Sequence, residues 1–130
     1  MKLALGQVSA SESRQENLDK AIGMMEEAKK QGANVICFPE VGFDQFFPRI
    51  RATSNYFDLA ESIPGPQTEL FQKKAAELEM VTVFSLLEEG MKGEYYDSAV
   101  CIDADGTLLG TTRMTHTYEG ENYNEKYYYA

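Results

Sequence analysis

Two strand-like apolar runs with one amphipathic stripe between them constrain this chain more than any other feature. Residues 3–8 (Leu-Ala-Leu-Gly-Gln-Val) alternate loosely, as a strand does. Over residues 14–31, Leu18, Ala21, Ile22, Met25 and Ala28 recur at steps of three and four, and Gly32 beyond Lys29-Lys30 is a good helix stop. The second run, Val35-Ile36-Cys37-Phe38, reads as a strand buried on both faces and ends at Pro39, which cannot donate a ladder hydrogen bond. Strand, helix and strand in that order predict two parallel strands joined by a right-handed crossover.

That arrangement places Glu40 at the carboxyl end of a strand, where ligands bind in open α/β sheets. A carboxylate delivered there is a candidate for chemistry; the alternative is a partly exposed loop glutamate. Residues 41–57 then supply Phe43, Phe46, Phe47, Tyr56 and Phe57. A long aromatic loop after a strand end can wall a substrate pocket, with Arg49 or Arg51 available for an anionic group. Each aromatic taken singly reads as local packing.

Ile63-Pro64-Gly65-Pro66 is strong turn punctuation, and residues 68–79 carry Phe71, Ala75 and Leu78 on one helical face. Residues 81–86 are β-branched and strand-like, and residues 88–93 read as a polar turn. Residues 95–102 and 107–113 flank Asp103-Ala104-Asp105-Gly106, a hairpin signal that turns the sheet antiparallel. The predicted order is β-α-β-α-β-β-β, an α/β fold with a mixed sheet and two main helices. Residues 115–130 are polar and tyrosine-rich. Their end at Tyr127-Tyr128-Tyr129-Ala130, with no closing helix or charged tail, reads as a chain cut in mid-domain.

Charge excludes some partners. Twelve basic against 21 acidic residues leave a net charge of −9, which repels phosphate backbones and anionic lipid. No apolar run approaches the roughly 20 residues of a spanning helix, and no secretory signal opens the chain, so a cytoplasmic protein without nucleic-acid or membrane partners is expected. The two cysteines, Cys37 and Cys101, lie in strand-like runs, and there is a single histidine. Buried thiols are expected, with no zinc site and no disulfide.

Taken together, several segments resemble the carbon–nitrogen hydrolase (nitrilase) superfamily. They are residues 2–8, residues 32–40 ending in Phe38-Pro39-Glu40, the Ile63-Pro64-Gly65-Pro66 turn, Asp97-Ser98-Ala99 with Asp103-Ala104-Asp105-Gly106, Gly110 with Arg113 and His116, and Glu125-Lys126-Tyr127-Tyr128-Tyr129. Phe46-Phe47-Pro48-Arg49 further resembles the branch that hydrolyses N-carbamoyl compounds. The resemblance implies an αββα sandwich and a catalytic glutamate, lysine and cysteine, with no metal or organic cofactor. It places the general base at Glu40 and a second catalytic glutamate at Glu125. Arg49, Arg113 and His116 become candidates for binding a small amide or ureido substrate. His116 also reads as a hydrogen-bonded structural histidine.

Two departures bear on activity. Arg113-Met114-Thr115-His116 puts methionine where the resemblance places the lysine, and methionine cannot stabilise an oxyanion as an ammonium does. The nucleophilic cysteine follows the Glu125 segment in that superfamily, and neither Cys37 nor Cys101 fits it. Strand alternation predicts that Cys37 and Glu40 point to opposite faces. The expectation is therefore the N-terminal half, residues 1–130, of a hydrolase domain, inactive alone. It should expose apolar surface and form a homo-oligomer or pair with a missing C-terminal half. The alternative is a non-catalytic half-domain that scaffolds or binds a small ligand or partner.

Overall fold

Each main helix combines an apolar stripe with a start signal. In the computed structural model, which describes residues 1–50 and 54–130, α1 spans Arg14–Lys30 and its N-cap Ser13 accepts the Glu16 N–H. Leu18, Ala21 and Met25 form its buried side. Helix α2 spans Pro66–Leu78 and starts ahead of residue 68, because Pro66 after Gly65 suits a first helical turn. The buried Thr68 hydroxyl accepts the Gly65 N–H at 2.6 Å and fixes that start. Arg51 lies outside the described residues.

Five strands lie in sequence order across one sheet: β1 (Leu3–Leu5), β2 (Val35–Cys37), β3 (Val81–Met91), β4 (Glu94–Ile102) and β5 (Leu108–Arg113). The β1, β2 and β3 pairings are parallel, and β4 and β5 add antiparallel. This is the predicted mixed sheet. Strand β1 is shorter than residues 3–8, although the Gly6 N–H still bonds to Cys37 O at 2.8 Å. A side chain at Gly6 would collide with the Phe38 ring, 2.6 Å from the Cβ position.

Strand β3 runs beyond the predicted residue 86, through what reads in sequence as a polar turn. Glu88 stays in the ladder because its buried carboxylate is fully occupied. Arg113 grips it in two places, Nε to Oε2 at 2.9 Å and an outer nitrogen to Oε1 at 2.6 Å, and the Ser98 hydroxyl donates a short hydrogen bond. Arg113 also lies 3.7 Å over the Tyr96 ring.

Register separates the two faces of the sheet. One transverse row, Ala4, Ile36, Thr82 and Ile102, together with Phe84 and Val100, packs against both helices. Phe71 of α2 meets Phe43 and Phe84 with ring centroids 4.9 and 4.5 Å from it, and those two rings also meet each other at 5.6 Å, so the three form a triangle. The neighbouring row, Leu5, Cys37, Val83 and Cys101, faces the other way. Among the described residues no helix covers it, so Leu5 is 76% exposed and the two thiols are half-buried. Strand β2 is thus buried on one face and not on both, because a single helix layer backs the sheet.

Part of the second face is covered locally. Residues 41–50 and 54–60 contain 3-10 turns at Phe47–Arg49 and Ser54–Leu59. Phe47 and Tyr56 among them meet the end of the chain, which forms β6 (Glu119–Gly120), β7 (Tyr123–Asn124) and a short helix α3 (Glu125–Tyr128). The sequence reading expects no closing helix here; burial of Tyr128 and Tyr129 with Val41, Phe47 and Leu87 supplies the packing that makes one. Asn124 Nδ2 ties the segment to Pro48 O and Ile50 O, each at 3.1 Å. Arg14 holds the loop to α1 through a two-point contact with Asp44, at 2.8 and 2.6 Å, and a bond to Glu61 at 3.0 Å.

Phe71 is fully buried in this ring cluster. Phe71→Ala should cost about 3–5 kcal/mol of stability, read as a lower urea midpoint at unchanged slope. A loss below about 1 kcal/mol would show that the helix layer does not depend on this ring.

Candidate active site

The chain leaves β2 through a tight turn, and that turn sets Glu40. Gly42 N–H returns to Pro39 O at 3.2 Å, and Val41 adopts a φ of +44°. A β-branched residue in the left-handed region is strained, by about 1–3 kcal/mol, and persists only where the surroundings hold it. Here the hold is specific. The Val41 N–H donates to the buried Ser85 hydroxyl of β3 at 2.7 Å. The Val41 side chain is buried in the second core.

Ser85 also joins this turn to β4. Its hydroxyl donates to Asp97, which is buried at 5% exposure and shares a hydrogen bond with Glu40. Glu40, Val41, Ser85 and Asp97 thus form a closed ring of contacts. Glu125, buried on α3, brings a third carboxylate close enough to act on both Glu40 and Asp97. Its own oxygen accepts the Tyr118 N–H at 2.6 Å. Tyr129 completes the cluster, with a buried hydroxyl that has no hydrogen-bond partner among the described residues.

These surroundings change the acidities. Glu40 is raised from an ordinary 4.5 to about 7, first by desolvation of its carboxyl group, then by the hydrogen bond and negative charge of Asp97 and the charge of Glu125. Glu40 as a residue is exposed, and its carboxyl group is the part that meets Asp97. Asp97 is raised by its burial and by the Glu125 charge. The Tyr129 phenol is pushed up by burial and by the same carboxylates, which keeps it a neutral hydroxyl.

Two clefts open beside Glu40. One, of ≈ 680 Å³, runs between Pro39, Glu40, Phe46 and Arg49. The other, of ≈ 380 Å³, lies on the uncovered sheet face and is lined by Cys37, Glu40, Ser85, Asp97 and Met114. Cys37 and Glu40 therefore border the same cleft, contrary to strand alternation, because the chain turns out of the strand at Pro39. The Cys37 thiol meets Phe38 O at 3.7 Å.

The structure brings Glu40, Glu125 and Arg49 to this end of the sheet and leaves the other candidates apart. Arg113 pairs across the ladder with Ser98, on the helix side, and its guanidinium is engaged by Glu88. Met114 N–H bonds to Asp97 O at 2.8 Å, so Met114 is the residue opposite Asp97 on the site face. Arg113 thus points away from the place where Met114 stands. His116 is exposed on the segment after β5. The sequence reading assigns no role to Asp97, Ser85 or Tyr129. The signal it contained is an acidic residue within the strand-like residues 95–102, a costly place for a carboxylate without partners.

Comparisons with known proteins agree with this architecture. The pattern of the family described as Carbon-nitrogen hydrolase matches residues 2–130. The chain belongs to that family, within the nitrilase superfamily. An N-carbamoylputrescine amidase from Oryza sativa subsp. japonica is 36% identical over 130 residues, covering 99% of this chain and 42% of the relative. A citrullinase from Francisella tularensis is 34% identical, covering 100% of this chain and 45% of the relative. The crystal structure of a carbon-nitrogen hydrolase from Helicobacter pylori G27 superposes with a TM-score of 0.89 at 25% identity, covering 98% of this chain and 43% of that one. The chain spans less than half the length of the curated relatives it matches.

The raised acidity constant of Glu40 has a stability consequence of fixed sign. The folded chain holds this proton more tightly than the unfolded chain, so the contribution is fully present below about pH 4.5 and lost as pH rises through about 7. Asp97 acts in the same direction. Urea midpoints should therefore fall between about pH 5 and about pH 8, and Glu40→Gln should flatten that slope. An identical slope in the variant would remove Glu40 as its source.

Proposed function

We propose that this chain forms the general-base half of an amidase that cleaves a small amide or N-carbamoyl compound through a cysteine thioester. The carrying observation is Glu40, fixed at the end of β2 in contact with Asp97 and within the field of Glu125. A base raised to about 7 suits the deprotonation of a thiol far better than an ordinary glutamate does. In this reading Glu125, whose charge reaches both Glu40 and Asp97, manages the proton that a departing amine needs. Arg49, exposed at the rim of the larger cleft, is suited to an anionic group of the substrate.

The thiol is supplied from outside these 130 residues in this reading. Cys101 lies within β4, away from the turn that carries Glu40. Cys37 comes from the strand preceding Glu40 and not from a segment following Glu125. The carboxyl-terminal remainder of the hydrolase domain would provide the nucleophile and cover the open row of Leu5, Cys37, Val83 and Cys101. The names of the relatives, N-carbamoylputrescine amidase and citrullinase, support ureido compounds as the first substrates to assay. One observation favours a second reading, a non-catalytic binding half-domain: Met114 faces the site where the resemblance places a lysine, and Arg113 does not substitute for it.

Ammonia release from N-carbamoyl amines and small amides separates the two. The chain alone should give no turnover. Carried with the rest of its fold it should be active, and Glu40→Gln should lower kcat by at least about a hundredfold. Inactivity of the whole protein on every such compound, with no acyl group trapped on a cysteine, would favour the binding reading.

A further inference from the structure

The ring of contacts around Glu40 contains a residue whose placement the general-base reading alone does not explain. Asp97 sits on β4 opposite Leu87 and beside Ser85 in the ladder, on the face where the second core and the uncovered row meet. A carboxylate at 5% exposure needs partners. No cation supplies them among the described residues: Arg113 is on the other face with Glu88, and Met114 stands opposite Asp97. No group of three His, Cys, Asp or Glu side chains among the described residues is arranged to hold a metal ion. The partners present are the Ser85 hydroxyl and the Glu40 carboxyl.

We infer that Asp97 is the positioning residue of this site: fixed by Ser85, its buried carboxylate accepts the hydrogen bond that the Glu40 carboxyl donates once Glu40 has taken up a proton. The inference rests on the general-base role of Glu40. In the chemical step the thiol S–H bond breaks and its proton passes to Glu40, while sulfur bonds to the substrate's carbonyl carbon and the C=O π pair moves onto oxygen. The proton lies on the hydrogen bond to Asp97 until the oxyanion collapses, the C–N bond breaks and a proton from the carboxyl cluster passes to the departing nitrogen. Two carboxyl groups holding one proton between them favour proton uptake, because both cannot ionise cheaply at contact distance. Asp97 thereby raises the basicity of Glu40 without touching substrate.

The surroundings of the pair suit both of its charge states. Glu125 from α3 adds negative charge and favours the protonated form. The Tyr129 hydroxyl, buried without a partner among the described residues, is a donor available when the pair is fully ionised. Cys37 and Met114 border the adjoining cleft, and Arg49 the larger one. Ser85 cannot turn freely to a different partner, since its oxygen is held by the Val41 N–H at 2.7 Å.

The test is a carboxyl titration of this chain by ¹³C NMR, with labelled Asp and Glu side chains. Glu40 should titrate near pH 7, and the Asp97 resonance should report two steps, one of them coincident with Glu40. Asp97→Asn should lower the Glu40 midpoint by at least about one pH unit. Where that variant does not fold, Glu40→Gln, altered at an exposed residue, serves instead: the Asp97 titration should collapse to a single step. A Glu40 midpoint unmoved in folded Asp97→Asn, or an Asp97 curve identical with and without Glu40, would overturn the inference. Either result leaves the hydrolase reading standing, whereas an inactive whole protein with a normal two-step titration would remove that reading and leave the pair.

Discussion

Helices back one face of this sheet while its strands are apolar on both, and the rest of the structure follows from that imbalance. On the backed face, Ile36, Phe84, Val100 and Ile102 share a core with Leu18, Met25, Phe71 and Ala75. On the other face, apolar burial has to come from elsewhere. The loop after β2 and the chain end provide it for one end of the sheet, through Phe47, Tyr128 and Tyr129 around Leu87. The remainder of that face stays open at Leu3 and Leu5. Glu40 lies at the boundary between the covered and the open parts, where a carboxyl group can be desolvated at one end and reached from a cleft at the other.

Polar groups at that boundary are arranged in pairs of unlike consequence. On the helix side of the ladder, Glu88 meets a cation, and the Arg113 contact holds its carboxyl below the ordinary range. On the site side, Asp97 meets another carboxyl group, and both are raised. The two arrangements are adjacent in the same strands, since Glu88 follows Leu87 and Ser98 follows Asp97. Alternation of side chains across β3 and β4 is what keeps the cation of Arg113 away from Glu40. A charge that looks available in sequence, next to Met114, is therefore spent on the opposite face.

Much of this was legible in the residues because the strong signals are local. The stripe from Leu18 to Ala28 gives α1, Pro39 ends β2, and Asp105-Gly106 closes the β4–β5 hairpin, each by a rule that acts within a few residues. Glu40 and Glu125 could be singled out because one follows a strand end and both lie in segments that resemble a hydrolase family. Asp97, Ser85 and Tyr129 could not, because their contacts depend on register between β3 and β4 and on the fold of the chain end over Leu87. Polar runs misled for the same reason. Glu88 reads as a turn residue until its partners on β4 and β5 are known, and the tyrosine-rich end reads as solvated until Tyr128 meets Phe47, at 5.0 Å between ring centroids.

The left-handed Val41 has a consequence for recognition. A loop that must freeze when its ligand arrives spends part of the binding energy on its own ordering. The turn bearing Glu40 is frozen beforehand, since its one unfavourable backbone angle is held by Ser85 inside the folded chain. In the proposed role, strain that lowers the stability of the protein becomes preorganisation, because the backbone that carries Glu40 needs no further ordering when a ligand arrives.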